Sequence, residues 1–169
     1  MKNVSFRNDV LPLKNELYRL ALRITLQHED AEDIVQDTLI KIWNKRDEWQ
    51  DIDSMAAYSM TICRNLALDR LKKKDRRSES IDTLRLSLHD TTASPYEQID
   101  QKDRLQIVKN IINALPEKQR TCMQLRDFEG KTYKEIAQIM TISEDQVKIN
   151  LFRARQAVKQ RYQDWASLE

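Results

Sequence analysis

The chain has 169 residues, 40% hydrophobic and 33% charged, with a net charge of +2, which allows one or two small domains with modest cores. It holds one glycine, Gly130, three prolines, two distant histidines (His28 and His89) and two isolated cysteines (Cys63 and Cys122). That inventory argues against hairpin-rich folds, glycine-rich phosphate loops and zinc patterns. The dominant residues are good helix formers, so the expected fold is all-α. No enzyme chemistry, cofactor, metal or small-molecule substrate is expected. No apolar run reaches membrane-spanning length and the first residues lack a signal peptide's apolar core, so the expected compartment is the cytoplasm.

Leu13 to Thr25 carries apolar residues at helical spacing, with Pro12 suited to the helix start. The next helix is the most clearly patterned. Ala31, Ile34, Val35, Thr38, Leu39, Ile42 and Trp43 form its inward stripe, and this reading puts Trp43 in the core. Glu29, Asp30, Glu32 and Asp33 complement the N-terminal end of its macrodipole. Its outer face shows Asp33, Gln36, Asp37, Ile40 and Lys41. A polar stretch from Asn44 to Asp53 contains Trp49. Ser54 then caps a third helix that ends in a basic run including Arg64, Arg70, Lys73 and Arg76. Bases beside an aromatic can hold a single strand by charge and stacking. Trp49, in a loop, is the stacking candidate, whereas Tyr58 reads as core.

Residues 78–103 are poor in apolar groups and rich in acids such as Glu79, Asp82, Asp90, Glu97 and Asp100, which marks a flexible linker. The expected organisation is therefore a first helical domain over 1–77, an acidic linker over 78–103 and a second helical domain over 104–169. In the last, one helix is lined by Leu105, Val108, Ile111, Ile112 and Leu115, and a second starts at Pro116 and ends at Gly130. Two capped helices follow, opened by Thr132 with Glu135 and by Ser143 with Gln146, which is the sequence form of a helix-turn-helix. In the last helix Val147, Leu151, Ala154 and Val158 face inward. Gln146, Lys148, Ile149, Asn150, Phe152, Arg153 and Arg155 face outward. Five bases and no acid lie between Gln146 and Arg161, a composition suited to the DNA major groove.

This order of features resembles the extracytoplasmic-function sigma factors of bacterial RNA polymerase over nearly the whole chain. Ala31 to Leu39 (Ala-Glu-Asp-Ile-Val-Gln-Asp-Thr-Leu) is similar to the family's polymerase-binding helix, and Ile62 to Asp69 (Ile-Cys-Arg-Asn-Leu-Ala-Leu-Asp) to the segment that melts and reads the −10 element. Leu115 to Arg120, Tyr133 to Ala137 and Leu151 to Arg155 resemble the −35-reading domain. The resemblance implies that Asp33, Gln36, Asp37 and Ile40 bind core RNA polymerase. It implies −10 DNA contacts at Trp49, Arg64, Asn65, Arg70, Lys73 and Arg76. It also implies −35 contacts at Lys148, Ile149, Phe152 and Arg153, to which the outward face of the helix adds Gln146, Asn150 and Arg155 as expected DNA contacts. Partners implied are core polymerase, promoter DNA and an anti-sigma factor, often membrane-bound; the linker would thread polymerase channels. Asp145 to Asn150 departs from the common Gly-Thr-Val-Lys/Arg-Ser-Arg, so no promoter sequence is carried over. Thr141 replaces a usual turn glycine or asparagine, and a β-branched residue there implies an altered or strained turn. The residues alone leave open a helix-turn-helix regulator that binds DNA without polymerase, or a helical adaptor.

Overall fold

The computed structural model describes residues 3–77 and 101–168. Among the described residues every regular element is helical. Short turns at Phe6–Val10 and Leu11–Leu13, the second containing Pro12, lead into α1 (Lys14–Thr25). Leu26 closes α1 at φ +62°, its N–H bonded to the Leu22 carbonyl at 2.8 Å. The left-handed form costs a non-glycine residue roughly 1–2 kcal/mol, so packing around this turn outweighs local preference. Helix α2 (His28–Asn44) opens with Glu29 and Asp30, and a short 3-10 segment (Arg46–Asp51) follows it. Ser54 Oγ accepts the Ala57 N–H at 3.2 Å at the start of α3 (Met55–Arg77), as its sequence signal implied. These three helices bury Leu17, Leu20 and Ile24 against Ile34, Met60 and Cys63. Full burial of each such aliphatic contributes roughly 1.5–3 kcal/mol.

Helix α4 spans Gln101–Asn113. It starts earlier than the end of the linker expected at Asp103. Its first turn is polar, and a stretch read for apolar spacing alone does not show such a turn as helix. The linker acids Glu79, Asp82, Asp90, Glu97 and Asp100 lie outside the described residues. Helix α5 (Glu117–Met123) runs into a π turn, Gln124–Phe128. Gly130 then takes φ +69°, with its N–H on the Arg126 carbonyl at 3.1 Å. This is the left-handed ending that the lone glycine implied. Helix α6 (Tyr133–Met140) and α7 (Glu144–Ala166) form the helix-turn-helix. Thr132 Oγ1 accepts the Glu135 N–H, while Ser143 and Gln146 form a reciprocal capping box at 3.1 Å in both directions. Thr141 makes the turn between them at φ +56°, so the strain expected of a β-branched residue is present.

The two helical parts do not sit apart. One set of buried side chains continues from Leu17, Met60 and Cys63 in the first to Cys122, Leu125, Ile136 and Met140 in the second. A smaller core, Ile112, Leu115, Met123 and Ala154, belongs to the second part alone. Polar groups ring the shared seam. Arg19 grips Glu129 through Nε at 2.5 Å and Nη2 at 2.9 Å. Arg23 donates to Gln124 at 2.9 Å and Asn113 at 2.6 Å, and Lys131 lies 3.6 Å from Glu16. The buried Arg120 guanidinium donates to the carbonyls of Arg23, Ile24 and Leu115, each at 2.8 Å. The first two are C-terminal carbonyls of α1, where a cation is favoured. Burial holds Arg120 below its ordinary pKa, with the Glu117 carboxylate pulling it back up.

Candidate polymerase and nucleic-acid interfaces

Three surfaces follow from these elements. The first is on α2. Asp33, Gln36, Asp37 and Ile40 are all exposed and recur at the spacing of one helix face. Trp43 lies seven residues beyond Gln36 and three beyond Ile40, and so continues that face. It is 48% exposed, which corrects its expected place in the core. Its ring is supported rather than buried. Phe6 meets it edge-on at 5.5 Å, and the Arg46 guanidinium lies 4.8 Å from its centre. The α2 surface thus grades from acid to apolar along its length.

The second surface surrounds α3. Trp49 is only 7% exposed and donates its Nε1–H to the Ile42 carbonyl at 3.0 Å. It packs with Val10 and Ile42 and stacks on Phe6 at 6.3 Å. The expected stacking residue is therefore core, and the physical reason is the N-terminal turn, which folds back over the loop. Tyr58 packs on the same cluster, as expected. Asn65, Lys73 and Arg76 are exposed, whereas Arg64 is 6% exposed. Arg64 Nη2 meets Glu117 at 3.1 Å, Nη1 donates to the Met140 carbonyl at 3.3 Å, and Nε is buried with no partner. Arg70 is tied to Asp30 at 3.0 Å, with Asp33 3.8 Å away. Lys74 also pairs with Asp30. The buried Asp30 carboxylate thereby fixes the end of α3 to the start of α2.

The third surface is the outer face of α7. Lys148, Ile149, Phe152 and Arg153 are exposed, with Phe152 at 64%. Gln146 is exposed but serves the cap, and Asn150 is half-buried with its amide on the Gln146 carbonyl at 2.8 Å. Arg155 is paired with Asp127 through Nη2 at 2.6 Å and Nε at 3.2 Å. That hydrogen bonding raises its pKa further. Lys148, with its ammonium 5.8 Å from the centre of the Tyr133 ring, and Ile149, Phe152 and Arg153 consequently form the exposed part of the predicted set that makes no hydrogen bond to the cap or to Asp127. The seam residues Arg19, Arg23, Arg120 and Glu129 escaped the sequence reading, because a pairing over about a hundred positions leaves no local pattern. The phase of Trp43 relative to Gln36 and Ile40 was a usable signal.

A three-helix unit carrying an acidic face, followed by a helix-turn-helix, defines the architecture of a sigma-70-type factor. The Sigma-70 region 2 model matches residues 10–77 and the Sigma-70 region 4 model residues 105–158. The chain is 30% identical over 149 residues to the ECF RNA polymerase sigma factor SigM of Bacillus subtilis, covering 88% of this chain and 89% of that one. It is 29% identical over 142 residues to the ECF RNA polymerase sigma-E factor of Escherichia coli K12, covering 79% and 74%. Its fold is similar to that of the sigma factor RpoE from Bartonella quintana, solved in complex with the anti-sigma factor NepR. There the TM-score is 0.72 and the identity 27%, over 92% of this chain and 94% of that one. CnrH, solved with the cytosolic domain of CnrY, shares the fold at TM-score 0.65, 20% identity and coverage of 94% and 88%. The chain belongs to the extracytoplasmic-function RNA polymerase sigma factors, and its function is to direct transcription initiation.

Proposed function

We propose that the three surfaces divide the work of initiation, with residues 1–77 holding polymerase and −10 DNA and the helix-turn-helix anchoring on −35 duplex. The exposed face Asp33–Gln36–Asp37–Ile40 on α2 is the observation that carries this reading, because a stand-alone DNA-binding regulator has no use for it. Trp43 extends that face, so its apolar end adds desolvated contact area to an acidic grip. On α7, Lys148 and Arg153 meet phosphates or guanine edges, while Ile149 and Phe152 offer apolar contact to thymine methyl groups. Asn65, Lys73 and Arg76, with Arg64 once uncovered, trap unstacked −10 bases. Binding energy opens the strands and no bond of substrate is made or broken by the chain.

The proteins of similar fold have been solved with anti-sigma factors, and a partner of that kind fits this chain. Among the described residues no helix is long and apolar enough to cross a membrane, and the proposed compartment is the cytoplasm, where polymerase resides. The separating test pairs Asp37→Ala with Arg153→Ala. The first is expected to weaken core-polymerase affinity about tenfold and leave −35 duplex binding intact, and the second to do the reverse. Native gel shifts with core enzyme and with promoter duplex read both. Loss of both activities in either variant contradicts the division of labour.

A further inference from the structure

We propose that Asp127 is a positioning residue for −35 recognition: it holds the Arg155 guanidinium in one orientation, so that the donors left over meet DNA in one register only. The proposal rests on the −35 reading of α7 given above. Asp127 lies in the π turn Gln124–Phe128, outside the helix-turn-helix and 28 positions from Arg155. Its two carboxylate oxygens accept from Arg155 Nη2 at 2.6 Å and Nε at 3.2 Å. A carboxylate gripped through two neighbouring nitrogens fixes the plane of a guanidinium as well as its place. Arginine carries more N–H donors than one carboxylate can take, and this fork leaves Nη1 outside it.

The surroundings show what the pair serves. Lys148, Phe152 and Arg155 recur at the spacing of one stripe of α7, and all three are exposed. Tyr133, the first residue of α6, stands beside both bases of that stripe. The Lys148 ammonium is 5.8 Å from its ring centre, and Tyr133 adds to the rise in the Arg155 pKa that the Asp127 hydrogen bonds chiefly cause. In a helix-turn-helix the first helix crosses the DNA backbone while the second enters the groove. Arg155 therefore lies where the two helices meet the duplex together. From Gln146 to Arg161 the sequence has no acid, so the carboxylate at this face is brought in by folding.

An exposed acid beside DNA-facing bases weakens the attraction for phosphates. The Arg155 and Asp127 side chains are 48% and 34% exposed, and ion pairs in solvent add little to stability. What the pair changes is freedom. An unheld arginine follows any phosphate within reach, in every register, and strengthens binding to all duplexes alike. A held arginine loses that reach but needs less ordering when the matching register arrives. Holding Arg155 thus favours one site and disfavours the rest, and specificity is that difference.

The test uses the full chain, whose α7 face is open, and a random-sequence duplex pool from which the wild type first enriches its preferred site. Affinities for that site and for the unselected pool are then measured across a salt series. Asp127→Ala is expected to weaken the preferred site about threefold and to strengthen pool binding about threefold, with the pool's slope of log affinity against log salt steeper by about 0.9, the signature of one added phosphate contact. Asp127→Glu, which keeps a carboxylate, is expected to recover most of the wild-type discrimination. Arg155→Gln is expected to weaken the preferred site, and adding Asp127→Ala to it is expected to change neither affinity further. A merely structural role would lower both affinities and the melting temperature together and leave the salt slope alone. Equal shifts of the two affinities in Asp127→Ala, or an unchanged salt slope, overturn the proposal. So does a full Asp127→Ala effect that persists beside Arg155→Gln. Failure of the wild type to enrich any site, or wild-type affinity for the site in Arg153→Ala, instead sinks the −35 reading of α7.

Discussion

The proposed −35 helix, α7, and the proposed −10 helix, α3, hold their arginines in different ways: α3 leaves Asn65, Lys73 and Arg76 exposed but ties down two arginines. On α7, Lys148, Ile149, Phe152 and Arg153 are exposed, while Arg155 is held by Asp127, Asn150 by the Gln146 carbonyl and Gln146 by the cap. On α3, Arg64 is buried under region 4 and Arg70 is bound by Asp30. Trp49 has left the surface altogether. A duplex is read as it is found, so a rigid preformed face is sufficient. A single strand must first be made, and a surface that captures it too early would bind nucleic acid without a promoter. The contrast teaches that tertiary pairing, and not the sign of the charge, decides which of these residues stand free.

The sharpest way to break this comparison is at the two tryptophans of region 2. Trp49→Ala removes a buried ring and its hydrogen bond, and is expected to cost about 3–5 kcal/mol in chemical denaturation. Trp43→Ala is expected to cost under about 1 kcal/mol, yet to weaken core-polymerase binding severalfold in a titration. Equal stability losses would return Trp43 to the core. The glycine that shapes region 4 sharpens the other side. A Cβ at Gly130 meets nothing within 4 Å, so Gly130→Ala is expected to lose only the roughly 1 kcal/mol of left-handed strain, read as a small drop in melting temperature. At Thr141 the sign reverses: Thr141→Gly relieves the φ +56° strain and is expected to gain a few tenths of a kcal/mol after the loss of chain stiffness. A large loss there would mean that the threonine side chain itself holds the turn.

Much of the architecture was legible. The caps at Ser54, Thr132 and Ser143 and the ending at Gly130 are local chemistry, and each was readable within about four consecutive residues. The α2 and α7 faces were readable because helical phase separates inside from outside. What escaped needs distant partners. Trp49 is buried by Phe6 and Val10, and Arg64 by Glu117 and Met140, groups brought together by tertiary folding. The start of α4 at Gln101 was missed because a polar first turn has no apolar rhythm.

Arg120 holds region 4 against α1 entirely through main-chain oxygens, those of Arg23 and Ile24 on the far side and of Leu115 on its own. Peptide carbonyls are present whatever side chain is attached. The Arg120 bonds therefore do not depend on which side chains stand at 23 and 24, although Arg23 makes its own side-chain bonds to Gln124 and Asn113 and Ile24 is core. A short Ala at 120 would strand three acceptors at once, and a single-headed Lys lacks the planar fork that spans them. A double-mutant cycle scored by folding would then show little coupling between Arg120 and the Ile24 side chain, whereas the side chain to side chain pair Arg19 with Glu129 would couple.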